Sequence, residues 1–190
     1  MNNEKKFAVS EQHRKEQSIR KIVVDTETTG FVAGEDELLQ VSIIDENGKV
    51  LFDEYFKPSS HSEWKSAEAV NHISPEMVAD CPCIEEKLPI LQTIFDKADV
   101  IIGYNTIFDI GFLKAAGITF PNNIQYIDVM RDFAPIFGQW NEEKQSWKWQ
   151  KLTTCAEYYG YDWNKATAHN SLGDCYATLY CYNKISYDIV

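Results

Sequence analysis

The chain has 190 residues, of which 44% are hydrophobic and 25% charged, a composition typical of one globular domain with a sizeable core. Its 29 acidic and 18 basic residues give a net charge of -11, which argues against a protein that coats nucleic acid non-specifically. The five cysteines have no paired C-x-x-C spacing, which argues against a disulfide framework and a structural zinc site. The negative net charge does not exclude an enzyme that acts on nucleic acid, because metal ions bound by clustered acids can contact the phosphates of the substrate.

Residues 1–20 mix charged and polar side chains with scattered apolar ones, and we interpret them as a polar extension before a single domain over residues 21–190. The extension lacks the continuous apolar core of a signal peptide. Downstream there is no run of about eighteen apolar residues, the minimum for a membrane span. The sequence therefore predicts a cytoplasmic protein with no membrane association.

Three antiparallel strands are predicted first, over residues 21–25, 38–44 and 50–56. The dipeptide Asn47-Gly48 separates the second and third apolar runs, which strongly indicates a hairpin. A short helix is predicted over residues 66–70. Ser74-Pro75-Glu76 then has the pattern of an N-cap, a proline at the first helical position and an acid in the first turn.

Strands and helices alternate in the rest of the chain. Apolar side chains at helical intervals predict one amphipathic helix over residues 84–98. Further strands are predicted over 100–103 and 124–127, and further helices over 109–116, 129–137, 151–159 and 171–185. This order predicts an α/β fold with a mixed sheet of about five strands, the first three antiparallel, and helices on both faces.

The segment over residues 138–150 is predicted to be a long loop or a small hairpin near the surface. It carries Trp140, Trp147 and Trp149 among charged and polar residues. Tryptophans beside lysines could stack on single-stranded nucleic acid, but packing is the simpler interpretation for any one of these rings.

Asp25 and Glu27 directly follow the first apolar run. In an extended chain, residues i and i+2 project to the same face, so the two carboxylates could bind one cation together. The alternative interpretation of this acidic pair alone is a solvated strand end that turns at Gly30.

Two further acids lie at predicted helix starts. Asp109 follows a strand and a polar turn, where an acid ordinarily complements the helix dipole. Near the C-terminus, Asn170 or Ser171 can cap the last helix, which leaves His169 on a loop and Asp174 in the first turn.

Three segments, D-x-E-T-T-G, N-x-x-x-D-x-x-x-L and H-x-x-x-x-D-x-x-x-T, occur in this order between Asp25 and Thr178. Their spacing resembles the three motifs of the DEDDh 3'-to-5' exonucleases, which include the proofreading epsilon subunit of bacterial DNA polymerase III, RNase T and oligoribonuclease. The resemblance implies a ribonuclease H-like fold and release of nucleoside 5'-monophosphates from a free 3' end. The chain departs from the family pattern at two positions: it has Tyr104-Asn105 where many relatives have His-Asn, and Ser171 where many have Ala. In addition, Asn71-His72-Ile73 is an imperfect match to a His-Gly-Ile segment that is common in the family.

The resemblance also implies roles for individual residues. Two divalent ions, Mg²⁺ or Mn²⁺, would be held by four acids: Asp25, Glu27, Asp109 and Asp174. His169 would be the general base, because imidazole titrates near neutral pH. Substrate contacts would come from Thr28, Thr29, Gly30, Phe31, Asn105 and Phe108, with Phe31 and Phe108 either against bases or in the core.

Two alternatives come from other functional classes. An aspartyl-phosphate phosphatase strand normally has a second Asp where this chain has Glu27, and it would leave His169 and Asp174 without roles. A non-catalytic nucleic-acid-binding or polymerase-partner module of the same fold is disfavoured because no catalytic position is lost. The expected partner is nucleic acid with a free 3' end. The preference between DNA and RNA, and the choice among a polymerase partner, a homodimer and a lone chain, stay open.

Overall fold

The computed structural model describes residues 20–163 and 170–188, and side chains up to residue 185. Its main sheet has five strands in the order β3-β2-β1-β4-β5. The strands are β1 (Lys21–Thr28), β2 (Leu38–Asp45), β3 (Val50–Tyr55), β4 (Val100–Gly103) and β5 (Gln125–Asp128). The pairs β1-β2 and β2-β3 are antiparallel, whereas β1-β4 and β4-β5 are parallel. The mixed sheet with three leading antiparallel strands is therefore confirmed.

Seven α-helices connect or flank these strands in the described residues. They are α1 (Lys65–Asn71), α2 (Pro75–Val78), α3 (Leu88–Phe95), α4 (Thr106–Ala115), α5 (Val129–Phe137), α6 (Leu152–Tyr158) and α7 (Ser171–Asp188). In the same part of the chain, no helix combines the length and the apolar character that crossing a membrane requires. The proposed 1–20 extension falls almost wholly outside the described residues.

The central strand β1 is buried on both faces. Ile22 and Val24 pack in one core cluster with Leu113 of α4, and α3 covers the same face. Val23, between them, packs in a second cluster with Cys175 of α7, which also contains residues of α5 and α6. Even-numbered side chains of β1 therefore face the α3/α4 layer, and odd-numbered ones face the α5/α6/α7 layer.

The prediction of one helix over residues 84–98 is wrong in its extent. A short 3-10 helix (Ile84–Glu86) comes first, and α3 starts only at Leu88 and ends at Phe95. Pro89 explains the break, because a proline fits the first turn of a helix but would lose a hydrogen bond in its interior. The apolar spacing continues across the break, so periodicity alone did not reveal it.

The segment over residues 138–150 forms a small hairpin, as predicted. Its strands are β6 (Trp140–Asn141) and β7 (Ser146–Trp147). Trp140 and Trp147 are cross-strand partners, and their ring centroids lie 5.0 Å apart in an edge-to-face arrangement. These two tryptophans therefore stabilise the hairpin by packing on each other.

Candidate active site

Three acids from two elements meet at the end of β1. Asp25 and Glu27 are odd-numbered and face α7, and Asp174 lies in the first turn of that helix. Carboxylate oxygens of the three residues lie within 4.8 Å of one another. Oxygen donors at this spacing are suited to a hard divalent cation.

The start of α7 is fixed by a network of hydrogen bonds to the neighbouring strands. Asn170 caps the helix by accepting from the Gly173 amide at 3.4 Å, and its Nδ2 donates to the Tyr55 hydroxyl at 2.9 Å. The Ser171 amide donates to Oε1 of Gln40 at 3.3 Å. Strands β2 and β3 thus set the position of the helical turn that carries the third acid.

Asp109 approaches from the opposite side of β1. It belongs to α4, is only 3% exposed, and accepts a 2.8 Å hydrogen bond from Oγ1 of Thr26. Burial raises its pKa to about 7, and the hydrogen bond from Thr26 offsets part of that rise. Asp109 is outside the group of three within 4.8 Å, so the four predicted acids form a group of three and a neighbour.

The acids strongly perturb one another's ionisation. Burial, followed by the charge of Asp109, raises the pKa of Asp25 well above its usual range. Burial, followed by the charge of Asp174, raises the pKa of Glu27 to about 8. Clustered carboxylates of this kind resist full ionisation together, and a bound cation would relieve that cost.

The buried residue Asn71 supports the acid site, a role that the sequence interpretation missed. Its Nδ2 donates to the Thr28 carbonyl at 3.1 Å, and its side chain also makes a hydrogen bond that lowers the pKa of Glu27. Its Oδ1 accepts from the Ile73 amide at 3.1 Å. The only available signal was the imperfect Asn71-His72-Ile73 match, which does not reveal a contact with β1.

The segment after Glu27 is held mainly by bonds within the protein. Thr28 and Thr29 are buried; the Thr28 hydroxyl donates to the Gly30 carbonyl, and Oγ1 of Thr29 accepts from the Glu37 amide at 2.9 Å. Phe31, directly after this segment, is 82% exposed. The two threonines therefore shape the loop that presents Phe31 to solvent.

Asn105 and Phe108 lie at the start of α4. Asn105 has a φ of 68°, a left-handed conformation that asparagine tolerates well, and its amide donates to Oδ1 of Asp128 at 3.0 Å. The Phe108 ring is partly buried, and its centroid lies 4.8 Å from that of the Phe112 ring. Much of the Phe108 side chain therefore packs in the core, which favours the core interpretation. His169, the predicted general base, lies outside the described residues.

A family model described as an exonuclease, RNase_T, matches residues 22–182. The chain belongs to this exonuclease family. The matched region of the RNase_T exonuclease domain includes all four acids and His169. Among its relatives, the chain is 28% identical over 169 residues to a protein of Escherichia phage 186 named uncharacterized exonuclease CP81, a match that covers 84% of each chain.

The chain is also similar to part of a much larger protein and to exonucleases of known structure. It is 33% identical over 96 residues to the PolC-type DNA polymerase III of Thermotoga maritima, a match that covers 49% of this chain and 7% of the polymerase. Exonuclease X in complex with 5' overhanging duplex DNA matches with a TM-score of 0.65 and 19% identity, over 88% of this chain and 92% of that chain. A zinc-bound E. coli exonuclease I complex with single-stranded DNA matches with a TM-score of 0.73 and 18% identity, over 90% of this chain and 41% of that chain. The structural matches establish the exonuclease fold of the RNase_T domain.

Proposed function

We propose that this protein is a metal-dependent 3'-to-5' exonuclease of the DEDDh type, which releases nucleoside 5'-monophosphates from single-stranded DNA, RNA or both. The observation that carries the proposal is the approach of Asp25, Glu27 and Asp174 to within 4.8 Å in a member of an exonuclease family. Three acids from two separate elements converge there although burial and repulsion between the acids oppose the ionisation of Asp25 and Glu27. Such convergence is typical of a metal-binding site rather than of a solvated strand end.

The donor set fits two divalent ions, with Mg²⁺ or Mn²⁺ as the proposed identity, because all the donors are carboxylate oxygens. Asp25, Glu27 and Asp174 would hold one ion. Asp109, whose charge raises the pKa of Asp25, would help to hold the second ion. When bound, the ions would activate a water molecule and stabilise the charge that develops on the phosphate.

His169 is the proposed general base, which takes the proton of the attacking water. It precedes the first residue of α7 by two positions and Asp174 by five. A histidine suits this role because its imidazole is available as a neutral base near pH 7. His169→Gln should therefore lose most of the rate while Mg²⁺ still raises the melting temperature; full activity would contradict the assignment.

The proposed contacts for the 3'-terminal nucleotide are the segment Thr28-Thr29-Gly30, the exposed ring of Phe31, Asn105 and Phe108.

We further propose that residues 21–190 form a single domain and that the protein is located in the cytoplasm. The similarity to PolC-type polymerases supports association with a polymerase, while a homodimer remains the alternative assembly.

The direct test is digestion of 3'-labelled and 5'-labelled single-stranded DNA and RNA oligonucleotides with Mg²⁺ or Mn²⁺. We expect stepwise shortening from the 3' end, loss of cleavage in Asp25→Asn, and unchanged cleavage in Asp80→Asn, a control acid exposed on the surface. Comparison of the cleavage rates of the DNA and RNA oligonucleotides identifies the preferred substrate. If folded wild-type protein cleaves no oligonucleotide, the non-catalytic module becomes the better account.

A further inference from the structure

A hollow of about 310 Å³ lies beside α4, on the face of that helix that points away from the acid site. Ile107, Lys114, Tyr126 and Arg131 are among its lining residues, and all four are exposed. The guanidinium of Arg131 lies 6.0 Å from the ring centroid of Trp149, which is 61% exposed. The hollow and the Trp149 ring together form what we call the α4 flank.

The α4 flank begins at the edge of the sheet that carries the acid site. Strands β1, β4 and β5 are parallel, so their carboxyl ends meet at one edge, where Asp25 and Glu27 lie in the second half of β1 and Asp128, which lines the hollow, ends β5. The Tyr104 hydroxyl, in the loop between β4 and α4, donates to the carbonyls of Gln150 at 2.9 Å and Lys151 at 3.1 Å. These bonds fix the segment that carries Trp149 beside the start of α4.

Helix α4 carries one of the four acids and part of the flank on different faces. Asp109 faces Thr26 of β1, whereas Ile107 and Lys114 face the hollow. A strand whose 3' end is held at the acids would pass the start of α4 on its way to Trp149.

The chemistry of the flank suits a single-stranded polyanion. In a chain with a net charge of -11, Lys114 and Arg131 bring positive charge to one place, and neither forms a salt bridge within the described residues. The one carboxylate lining the hollow, Asp128, directs Oδ1 to the amides of Asn105 and Met130 at 3.0 and 3.1 Å. These two donors offset part of its charge, and Lys114 and Arg131 outnumber it, so the lining of the hollow is positive overall.

The aromatic rings add a surface for unpaired bases. Trp149 is 61% exposed and Tyr126 46%, whereas the rings of Trp140 and Trp147, 40% and 41% exposed, pack edge to face on each other. Stacking on aromatic rings favours single strands, because bases in a duplex already stack on their neighbours. Arginine beside tryptophan is a further favourable arrangement, since its guanidinium can contact both ring and phosphate.

We infer that the α4 flank binds the substrate strand on the 5' side of its terminal nucleotide, and that it selects single-stranded 3' tails. The inference rests on the proposed exonuclease function and adds a second contact region to it. Trp149 stacks on a base, and Arg131 and Lys114 contact phosphates. Substrates long enough to reach the flank therefore bind more tightly than dinucleotides.

The test measures binding separately from cleavage. Fluorescence anisotropy in EDTA reports the affinity of full-length protein for a labelled single-stranded decamer, and digestion in Mg²⁺ gives KM for the decamer and for a dinucleotide. The variants are Trp149→Ala and Arg131→Gln, and the matched controls are Trp147→Phe, which keeps an aromatic ring against Trp140, and Lys97→Gln. Lys97 lines a different hollow with Arg20, at the amino end of β1.

We expect Trp149→Ala to weaken decamer binding about tenfold, as loss of one stacked base would, without changing its salt dependence. Arg131→Gln should reduce the slope of log K against log salt by about 0.7, the value for one phosphate contact on a single strand. Both variants should raise the KM of the decamer relative to that of the dinucleotide. The controls should match wild type in all three measurements.

The inference is overturned if either variant binds the decamer as tightly as wild type, or if the controls weaken binding equally. It is also overturned if KM rises by the same factor for both substrate lengths. Failure of the exonuclease proposal looks different: wild type would cleave neither substrate, while the anisotropy data would still report whether the flank binds single strands.

Discussion

Thr26 and Asp109 are joined by a 2.8 Å hydrogen bond that links β1 to α4 across 83 positions of sequence. Thr26 lies between Asp25 and Glu27 and points to the opposite face of the strand. The bond therefore anchors the fourth acid on one side of β1 while the other three gather on the opposite side. Strand alternation thus divides the acids into two groups around one strand end.

Replacement of Thr26 tests this link. Thr26→Val should lower the free energy of unfolding by about 1–3 kcal/mol, because it leaves the buried Asp109 carboxylate with one donor fewer. It should also lower nuclease activity, since the pKa of Asp109 would rise further without that donor. Urea denaturation and the digestion assay measure the two effects.

Thr26→Ser is the matched control for the same position. It keeps the hydroxyl and should preserve most of the activity that Thr26→Val loses. Equal unfolding curves for Thr26→Val and wild type would show that the bond contributes nothing to stability.

Repulsion within the acid cluster predicts an unusual gain in stability. In EDTA near neutral pH, Glu27→Gln should melt a few degrees above wild type, because burial and Asp174 raise the pKa of Glu27 to about 8, so that the glutamate must take up a proton on folding and the glutamine need not. The same variant should be inactive. Mg²⁺ or Mn²⁺ should raise the melting temperature of wild type and raise that of the variant much less.

Glu46→Gln is the matched surface control, since Glu46 is exposed in the turn after β2. Its melting temperature should follow that of wild type with and without metal. A wild-type melting temperature indifferent to metal and chelator would count against the metal site itself.

Local sequence patterns predicted the elements well and the contacts between them poorly. The i, i+2 spacing of Asp25 and Glu27 was sufficient to put both on one face of β1, and α5 begins and ends where predicted. Asn71 and Thr26 were missed because their partners are distant in sequence or on the opposite face. The break at Pro89 was missed because apolar periodicity continues through it.

Glu37 should make stability depend on pH in the acid range. Burial acts to raise its pKa, but hydrogen bonds from His61, Ser59 and Ser60 outweigh it and lower the pKa to about 2. In the unfolded chain the pKa of a glutamate is about 4.3, so as the pH falls residue 37 is protonated in the unfolded chain before it is protonated in the folded protein. The stabilising contribution of Glu37 is complete above that value and is lost progressively toward pH 2.

Glu37→Gln should consequently show a smaller loss of unfolding free energy than wild type between pH 5 and pH 3, in urea titrations at each pH. The effect should be modest, because the side chain is partly exposed and its interactions are screened by solvent. Glu35→Gln, an exposed neighbour, should keep the wild-type pH dependence. Identical pH profiles for Glu37→Gln and wild type would refute the assignment.

The loop that presents Phe31 depends on close contact between Gly30 and Asp36. A Cβ at position 30 would lie 2.4 Å from both carboxylate oxygens of Asp36. That carboxylate is held in place, since Oδ2 accepts from the Val32 amide at 2.8 Å and Oδ1 lies 3.5 Å from Oγ1 of Thr29. Gly30→Ala must therefore displace Asp36, at a cost of about 1–3 kcal/mol for overpacking.

A double-mutant cycle separates this contact from a general effect of alanine in the loop. Asp36→Ala alone loses the hydrogen bond to Val32, but it also removes the atoms that the new methyl group would meet. The double variant should therefore be less destabilised than the sum of the single variants, by about 0.5 kcal/mol or more, in urea unfolding of the four proteins. If the effects of the two substitutions are additive, Gly30→Ala destabilises the protein for another reason. The close contact with Asp36 would then not explain why position 30 has no side chain.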